Sequence, residues 1–376
     1  MVGGGPEAFI GGVHRMAMRL DGEIELVAGA FSAAAEKSRL FGEELLLDPA
    51  RVYPDYKIMA DKEAKLPVGE RIDFVTVVTR NRMHVPICRA FLEAGFHVVC
   101  DKPLAVNLEE ALALREVVRQ TGLLFALTHN YTGYPLVKQA RALVRKGELG
   151  KIRKVVAEYS QGWLSQAIEE EEHKQAAWRT DPEQAGASGC LGDIGTHVEN
   201  IIRYITGLEI DQLCAEFTTF VGGRRLEDDA SVLLRYKGGA KGVLHASQVC
   251  AGEENGLAIR VYGSNASLKW SQEEPNELIV RYPGAPSRIY RPGNPNLDDS
   301  AKRFVRLPSG HPEGFIEAFA NIYREVARSI HHERDGKPIP ADCDYPTIDD
   351  GIIGMAFLAT AVESAQAGGV WRSLPS

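Results

Sequence analysis

Asp193 and His197 stand four residues apart in the stretch "GDIGTHVEN". On a helix that spacing puts both side chains on one face. An imidazole there can take a hydroxyl proton, while the carboxylate orients the ring and stabilises its charged form. Lys102, in "DKP", follows a short apolar run and can donate to a substrate oxygen. "TRNRMH", Thr79 to His84, closes the strongest strand-like run of the chain. Ligands of open α/β sheets bind at such carboxyl ends, which places Thr79 and Asn81 against a cofactor. His84 reads first as a helix-start residue satisfied locally and second as a further cofactor contact.

The chain opens "MVGGGPEAFIGGVHR". Gly3, Gly5 and Ala8 fit G-x-G-x-x-A. In that pattern the first small residue allows a tight turn and the second lets the backbone approach a pyrophosphate. The third lets the following helix pack closely on its sheet. A helix from about Ala8 to Arg19 would aim its first amides, Phe9 and Ile10 among them, at the phosphates. Ser32 ends the next strand-like run, where an acid often holds the adenosine ribose hydroxyls. A serine can bond a hydroxyl and does not repel a 2′-phosphate, so NAD and NADP both stay open.

Those residues need elements to hold them. From the start to about residue 130, strands and helices alternate. The strands are "ELVAGAF" (Glu25 to Phe31), "IDFVTVVT", "HVVCDKP" and "LLFALTHN". The helices are "EKSRLFGEELLLD", "HVPICRAFLEAG", ending at Gly95, and "NLEEALALREVVRQTG", with Asn107 as N-cap and Gly122 as terminator. Alternation at this spacing predicts a doubly wound parallel sheet, a dinucleotide-binding domain over 1–130. After that, "KIRKVVAEYS", "CAEFTTFV", "ASVLLRY", "GVLHASQV", "LAIRVYG", "ASLKW" and "ELIVRY" follow one another without intervening helices. Such a run predicts a mostly antiparallel open sheet. With two closing helices it makes 131–376 an α+β domain for substrate and self-association. An apolar sheet face left uncovered predicts a homodimer or homotetramer.

Composition narrows the classes. At 376 residues, 44% hydrophobic and 25% charged, the chain has the make-up of a two-domain globular protein. A net charge of -8 and the absence of any long basic stretch argue against nucleic acid. No apolar run reaches membrane-spanning length. Six cysteines without a CxxC pair read as reduced thiols of a cytoplasmic protein. The acidic run "EEEEH", Glu169 to His173, reads as a solvated loop or helix end, and no metal site is expected.

The three chemistry-bearing stretches, in this order, resemble the Gfo/Idh/MocA family of NAD(P)-dependent oxidoreductases over essentially the whole chain. "TVVTRNRMH" is similar to the family's strand and T-x-N-x-x-H turn. "AGFHVVCDKPLA" resembles its A-G-K-H-V-x-x-E-K-P stretch, and "GDIGTHVENIIRYITG" its D-x-G-x-H helix. The resemblance implies that Lys102 binds the reacting oxygen and that a cis proline, Pro103, follows it. It implies that Asp193 and His197 complete the catalytic set, with His197 as acid/base. Trp178 and Arg179, in "AAWRTDP", would contact substrate, and Asn130 and Tyr131 would line the cleft, Asn130 on the cofactor side. Asp101, beside the cofactor, stands where the family usually has glutamate. The family also carries a strand before its glycine loop. Only Met1 and Val2 precede it here, so that strand is expected to be cut short. The implied activity is hydride transfer between the nicotinamide of NAD or NADP and a ring CH–OH of a cyclic polyol, sugar or glycoside, without a metal. The alternative is a sensor or regulator that binds the cofactor without catalysis. Such a protein has no need to keep Lys102, Asp193 and His197 together.

Overall fold

The computed structural model describes residues 1–6, 8–171 and 173–375. They divide into two compact units, one of Met1–His129 with Phe319–Ile352 and one of Asn130–Ala318 with Ile353–Ser376.

The first unit is built on a parallel sheet. Strands β1 (Val2–Gly3), β2 (Phe74–Val78), β3 (His97–Cys100) and β4 (Phe125–Leu127) lie in that spatial order. Single parallel bridges from Val2 to Ala30 and from Gly29 to Val52 extend it past β1. The connecting helices are α1 (Phe9–Leu20), α2 (Ala35–Glu44), α3 (Tyr56–Ala64), α4 (His84–Glu93) and α5 (Leu108–Thr121). β2 and β3 bury nearly every residue, as strands covered on both faces must. The α5 ends follow the sequence. Asn107 Oδ1 accepts the Glu110 amide at 2.8 Å, and Gly122 takes the left-handed φ of 67° that ends the helix.

Two features depart from the sequence reading. The strand expected over Glu25–Phe31 is reduced to the bridge residues Gly29 and Ala30. Its partner β1 offers only two residues, and a cavity of about 400 Å³ lined by Met1, Leu26, Ala28, Asp73 and Phe74 lies beside it. The Met1 nitrogen donates to the Ala28 carbonyl at 2.8 Å. The second departure is that residues 319–352 belong with the first unit, not with 131–376. Aromatic packing explains it: Tyr323 and Phe319 seat their rings against His14, and Thr347 bridges antiparallel to Ala126.

The second unit carries a nine-stranded sheet ordered β12-β11-β10-β9-β5-β8-β7-β6-β13. Its strands are β5 (Lys154–Ser160), β6 (Ile210–Thr218), β7 (Asp229–Tyr236), β8 (Lys241–Ser247), β9 (Gly256–Tyr262), β10 (Ser267–Ser271), β11 (Leu278–Tyr282), β12 (Ala285–Tyr290) and β13 (Arg372–Ser373). Every pairing is antiparallel except β5 with β8. Alternate residues are buried along β5, β7, β8 and β9, so one face holds the core. The helices of this stretch are α6 (Pro135–Arg145), α7 (Lys174–Arg179), α8 (Pro182–Ala185), α9 (Thr196–Thr206) and α10 (Asp299–Lys302). Two long helices follow, α11 (Phe315–Arg334) and α12 (Ile348–Gln366). Among the described residues, no helix is long and apolar enough to cross a membrane.

Candidate active site

In the first unit the glycine turn has the shape a pyrophosphate requires. Gly3 and Gly4 sit at φ 79° and 66°, where a side chain is strained. A Cβ on Gly5 would come within 2.7 Å of the Phe31 carbonyl oxygen. The close approach of helix to turn does not fall on Ala8, as G-x-G-x-x-A had it. Ala8 is the N-cap of α1, and the packing residue is Gly11, whose Cβ would stand 2.4 Å from Gly4 Cα. The turn is therefore three residues longer than the pattern assumed. α1 has neither a side-chain cap nor an acid in its first turn. Its leading amides, those of Phe9 and Ile10 included, remain available to an anion. These glycines and this uncapped helix end fit the phosphates of a dinucleotide. Gly11→Ala decides whether sterics or helix propensity dominates. Propensity alone favours alanine by about 1 kcal/mol, whereas overpacking against backbone costs about 1–3 kcal/mol. We expect NAD affinity to fall by about tenfold, read by titrating cofactor against protein fluorescence.

The strand ends converge beside this turn. Ser32 Oγ accepts the Ala34 amide at 3.2 Å, fixing the bend after Phe31. Asn81 is buried at the start of the short 3₁₀ turn after β2. His84 turns one ring nitrogen to the Pro103 carbonyl at 2.7 Å and the other to the Thr79 carbonyl at 3.1 Å. Both nitrogens are thus engaged by main chain. His84 thereby ties the Thr79 turn to the Lys102–Pro103 turn. Burial pushes its pKa down. Lys102 precedes a cis Pro103, as expected. Asp101 lies behind it: its Oδ1 accepts the Thr128 hydroxyl at 2.7 Å and the Lys102 amide at 3.0 Å. Burial alone would raise this carboxyl, yet the His14 ring, Lys102 and Thr128 together hold it well below the usual carboxylate range.

In the second unit hydrogen bonds link Asp193 and Arg179 and draw in Tyr131, and ring contacts add Trp178 and His197. Asp193 Oδ2 accepts Arg179 Nε at 2.9 Å and Gln248 Nε2 at 2.9 Å. The Arg179 guanidinium lies 4.3 Å over the Trp178 ring. His197 is buried on α9, with the Tyr131 ring edge-on at 4.7 Å. Tyr131 and Tyr159 share a hydroxyl contact of 2.6 Å, and Tyr159 donates to Asn255 Oδ1 at 2.5 Å. Gln161 continues the line, donating to Asn255 Oδ1 at 2.9 Å and accepting from Trp163 Nε1 at 3.0 Å. Burial raises both phenols, which keeps them protonated. Asn130 is buried, and its Nδ2 has no hydrogen-bond partner among the described residues. Buried donors in folded proteins ordinarily find a partner, whether protein, ordered water or ligand.

Asp193 does not sit on a regular α-helix. It occupies a π-helical turn, Leu191–Gly195, which leads into α9. The turn is pinned by a residue that the sequence reading missed. Glu227, buried before β7, accepts from Ser188 Oγ at 2.6 Å and from the amides of Gly189 at 2.9 Å and Leu191 at 3.2 Å. Tyr159, Gln161, Gln248 and Asn255 were also missed, because they come from the ends of three different strands, β5, β8 and β9. The acidic run differs as well: Glu169 is not solvated but pairs with the buried Arg224 at 2.7 Å, while Glu172 lies outside the described residues. Among the described residues no cluster could hold a metal ion.

Comparison with known proteins places these features. Residues 1–129 match the oxidoreductase family described by its NAD-binding Rossmann fold, and residues 137–269 match the GFO/IDH/MocA C-terminal domain. The uncharacterized oxidoreductase YfiI of Bacillus subtilis is 39% identical over 377 residues, spanning 99% of this chain and 95% of that protein. Levoglucosan dehydrogenase of Pseudarthrobacter phenanthrenivorans is 26% identical across 94% of this chain and 98% of its own. The inositol dehydrogenase homolog of Azotobacter vinelandii, solved with NAD+, matches with a TM-score of 0.96 at 41% identity, covering 99% of this chain and 96% of that one. Its complex with NADH and myo-inositol gives 0.93 at 40% identity with the same coverage. Relatives this similar over both units leave one assignment: the chain belongs to the Gfo/Idh/MocA oxidoreductases, and it is an NAD-dependent enzyme whose first unit carries the family's Rossmann fold.

Proposed function

We propose that the protein oxidises one ring CH–OH of a cyclic polyol, with NAD as its cofactor and inositol-like rings as its substrate class. The observation that carries this reading is the line of side chains from Tyr131 through Asn255, Gln161 and Gln248 to Asp193 and Arg179. Neutral amides and hydroxyls alternate there with one charged pair, which suits a ring bearing several hydroxyls. The Azotobacter vinelandii homolog, solved with NADH and myo-inositol, supports the same class. That homolog's bound cofactor favours NAD over NADP, and Ser32 at the adenosine end accommodates it.

In this reading Lys102, Asp193 and His197 act on one substrate carbon. Bound NAD supplies the acceptor for the hydride that leaves the ring carbon. Lys102 donates to the substrate oxygen and stabilises it as charge develops. His197 removes the hydroxyl proton, so alcohol becomes ketone and the ring nitrogen keeps the proton. Asp193, fixed by Arg179 and Gln248, presents its carboxylate to the substrate and His197. Trp178 and Arg179 close the polar wall. The six thiols are all free, which supports a reducing, cytoplasmic setting. The test is a screen of purified protein for nicotinamide absorbance change across inositols, sugars and glycosides with NAD and NADP. Turnover confined to acyclic substrates, or none with any polyol, sinks the proposal.

The same reading includes self-association. On the sheet face opposite the core, Cys214, Leu233, Val243 and Val156 stand in register across β6, β7, β8 and β5. Leu233 is 48% exposed. An apolar row crossing four strands invites burial against a second copy. We expect a homodimer or homotetramer by light scattering at micromolar concentration, and Leu233→Asp to shift it to monomer. A wild-type monomer would end this part of the proposal.

A further inference from the structure

His14 is fully buried on α1, and no step above uses it. Its Nδ1 lies 2.5 Å from the Tyr323 hydroxyl. Burial pushes that phenol well up, so it remains a protonated donor. Tyr323 has one proton and two neighbours, His14 Nδ1 at 2.5 Å and Thr76 Oγ1 at 3.4 Å. The short contact claims it. Nδ1 is then the acceptor, and the ring proton sits on Nε2. Nε2 has no hydrogen-bond partner among the described residues. It stands 3.9 Å from Asp101 Oδ1, beyond a direct hydrogen bond but inside the range of a strong electrostatic contact in a buried setting.

Asp101 is the residue on which the Lys102 turn rests. The same Oδ1 accepts the Lys102 amide and the Thr128 hydroxyl. We propose that His14 is a positioning residue for the oxidoreductase reaction: with its tautomer set by Tyr323, its Nε2–H holds the Asp101 carboxylate in place, and through it the backbone and ammonium of Lys102. This rests on Lys102 as the donor to the substrate oxygen. The charged and titratable groups around the pair are Lys102, His84, Tyr323 and the buried Cys100 thiol, with Thr76 and Thr128 as neutral partners. Removing the ring takes away the electrostatic contact that Nε2–H makes with Asp101, so its carboxyl should protonate more readily, and Lys102 should lose its counter-charge.

The experiment compares His14→Ala, His14→Gln, Asp101→Asn and the double variant His14→Ala/Asp101→Asn, with Lys102→Ala as reference. The readouts are kcat, KM, NAD affinity by fluorescence and the pH dependence of kcat. His14→Ala should lower kcat by about tenfold or more with NAD affinity within about twofold of wild type. The acid limb of its pH profile should move to higher pH, since Asp101 gives up its charge sooner. His14→Gln, which keeps an N–H near the Nε2 position, should recover part of kcat and of the profile. The double variant should be no worse than Asp101→Asn alone, because both changes break one linkage. Unchanged kcat and profile in His14→Gln and His14→Ala, or losses that multiply in the double variant, overturn the inference. If His14→Ala does not fold, the Gln variant and its profile decide. A Lys102→Ala enzyme that keeps its turnover would instead overturn the site reading beneath it.

Discussion

Replacing Lys102 by Ala is expected to lower turnover by about a hundredfold or more, the range found when a proton-transfer or oxyanion group is removed. The fold should tolerate the change. Asp101 is bonded by the Lys102 main-chain amide, which alanine retains, and by Thr128. NAD affinity should change little, because the glycine turn and the α1 amides remain in place. His197→Ala should produce a loss of similar size, but with a different signature. Without an imidazole, turnover should climb with pH as solvent hydroxide takes over the proton, whereas the Lys102 variant should keep the wild-type profile shape. Near-wild-type turnover in both variants would dismiss the catalytic set.

The parts of this site that were legible in the sequence are those whose chemistry is local. A continuous β-branched run ending in Thr79 marks a buried parallel strand, because both faces must be apolar over consecutive residues. Lys102 follows from the same rule applied to β3. The glycine turn was legible in kind but not in register. A pattern of small residues matches Ala8 as readily as Gly11, and only the 2.4 Å approach to Gly4 separates them. The amides of the polar wall were not legible at all. Gln161 faces Asn255 because β5 and β9 pair Ser160 with Gly256. That register arises from side chains on other strands, and a one-residue slip would reverse every face. Nor does periodicity distinguish a π-turn from an α-turn at Asp193, since the sequence shows only the spacing of four. The return of 319–352 to the first unit is equally silent. Tyr323 reads as one aromatic on an amphipathic helix until His14 is found beside it.

Glu227→Ala should be among the most destabilising single changes in the second unit, and it should cost activity without touching substrate. The carboxylate accepts from Ser188 Oγ and from the amides of Gly189 and Leu191. Each group left buried without an acceptor costs about 1–3 kcal/mol, less whatever an entering water restores. Against a total stability of about 5–15 kcal/mol that is a large share. Glycine at 189 is equally constrained, since a Cβ there would meet the Glu227 carbonyl oxygen at 2.3 Å. The carboxylate itself carries a cost. Burial raises its pKa, and the three donors offset this only in part. A carboxyl raised in the folded state binds its proton more tightly there than in the unfolded chain. Stability therefore falls as pH climbs from the ordinary glutamate value to the raised one. Glu227→Gln removes that titration while keeping an oxygen acceptor. Its melting temperature should be flat across the window where wild type declines, and it should exceed that of Glu227→Ala at every pH. Turnover should follow the geometry of the turn: reduced in Glu227→Ala, where Asp193 loses its anchor, and largely kept in Glu227→Gln. An Ala variant that melts and turns over like wild type would show that the π-turn holds Asp193 without this carboxylate.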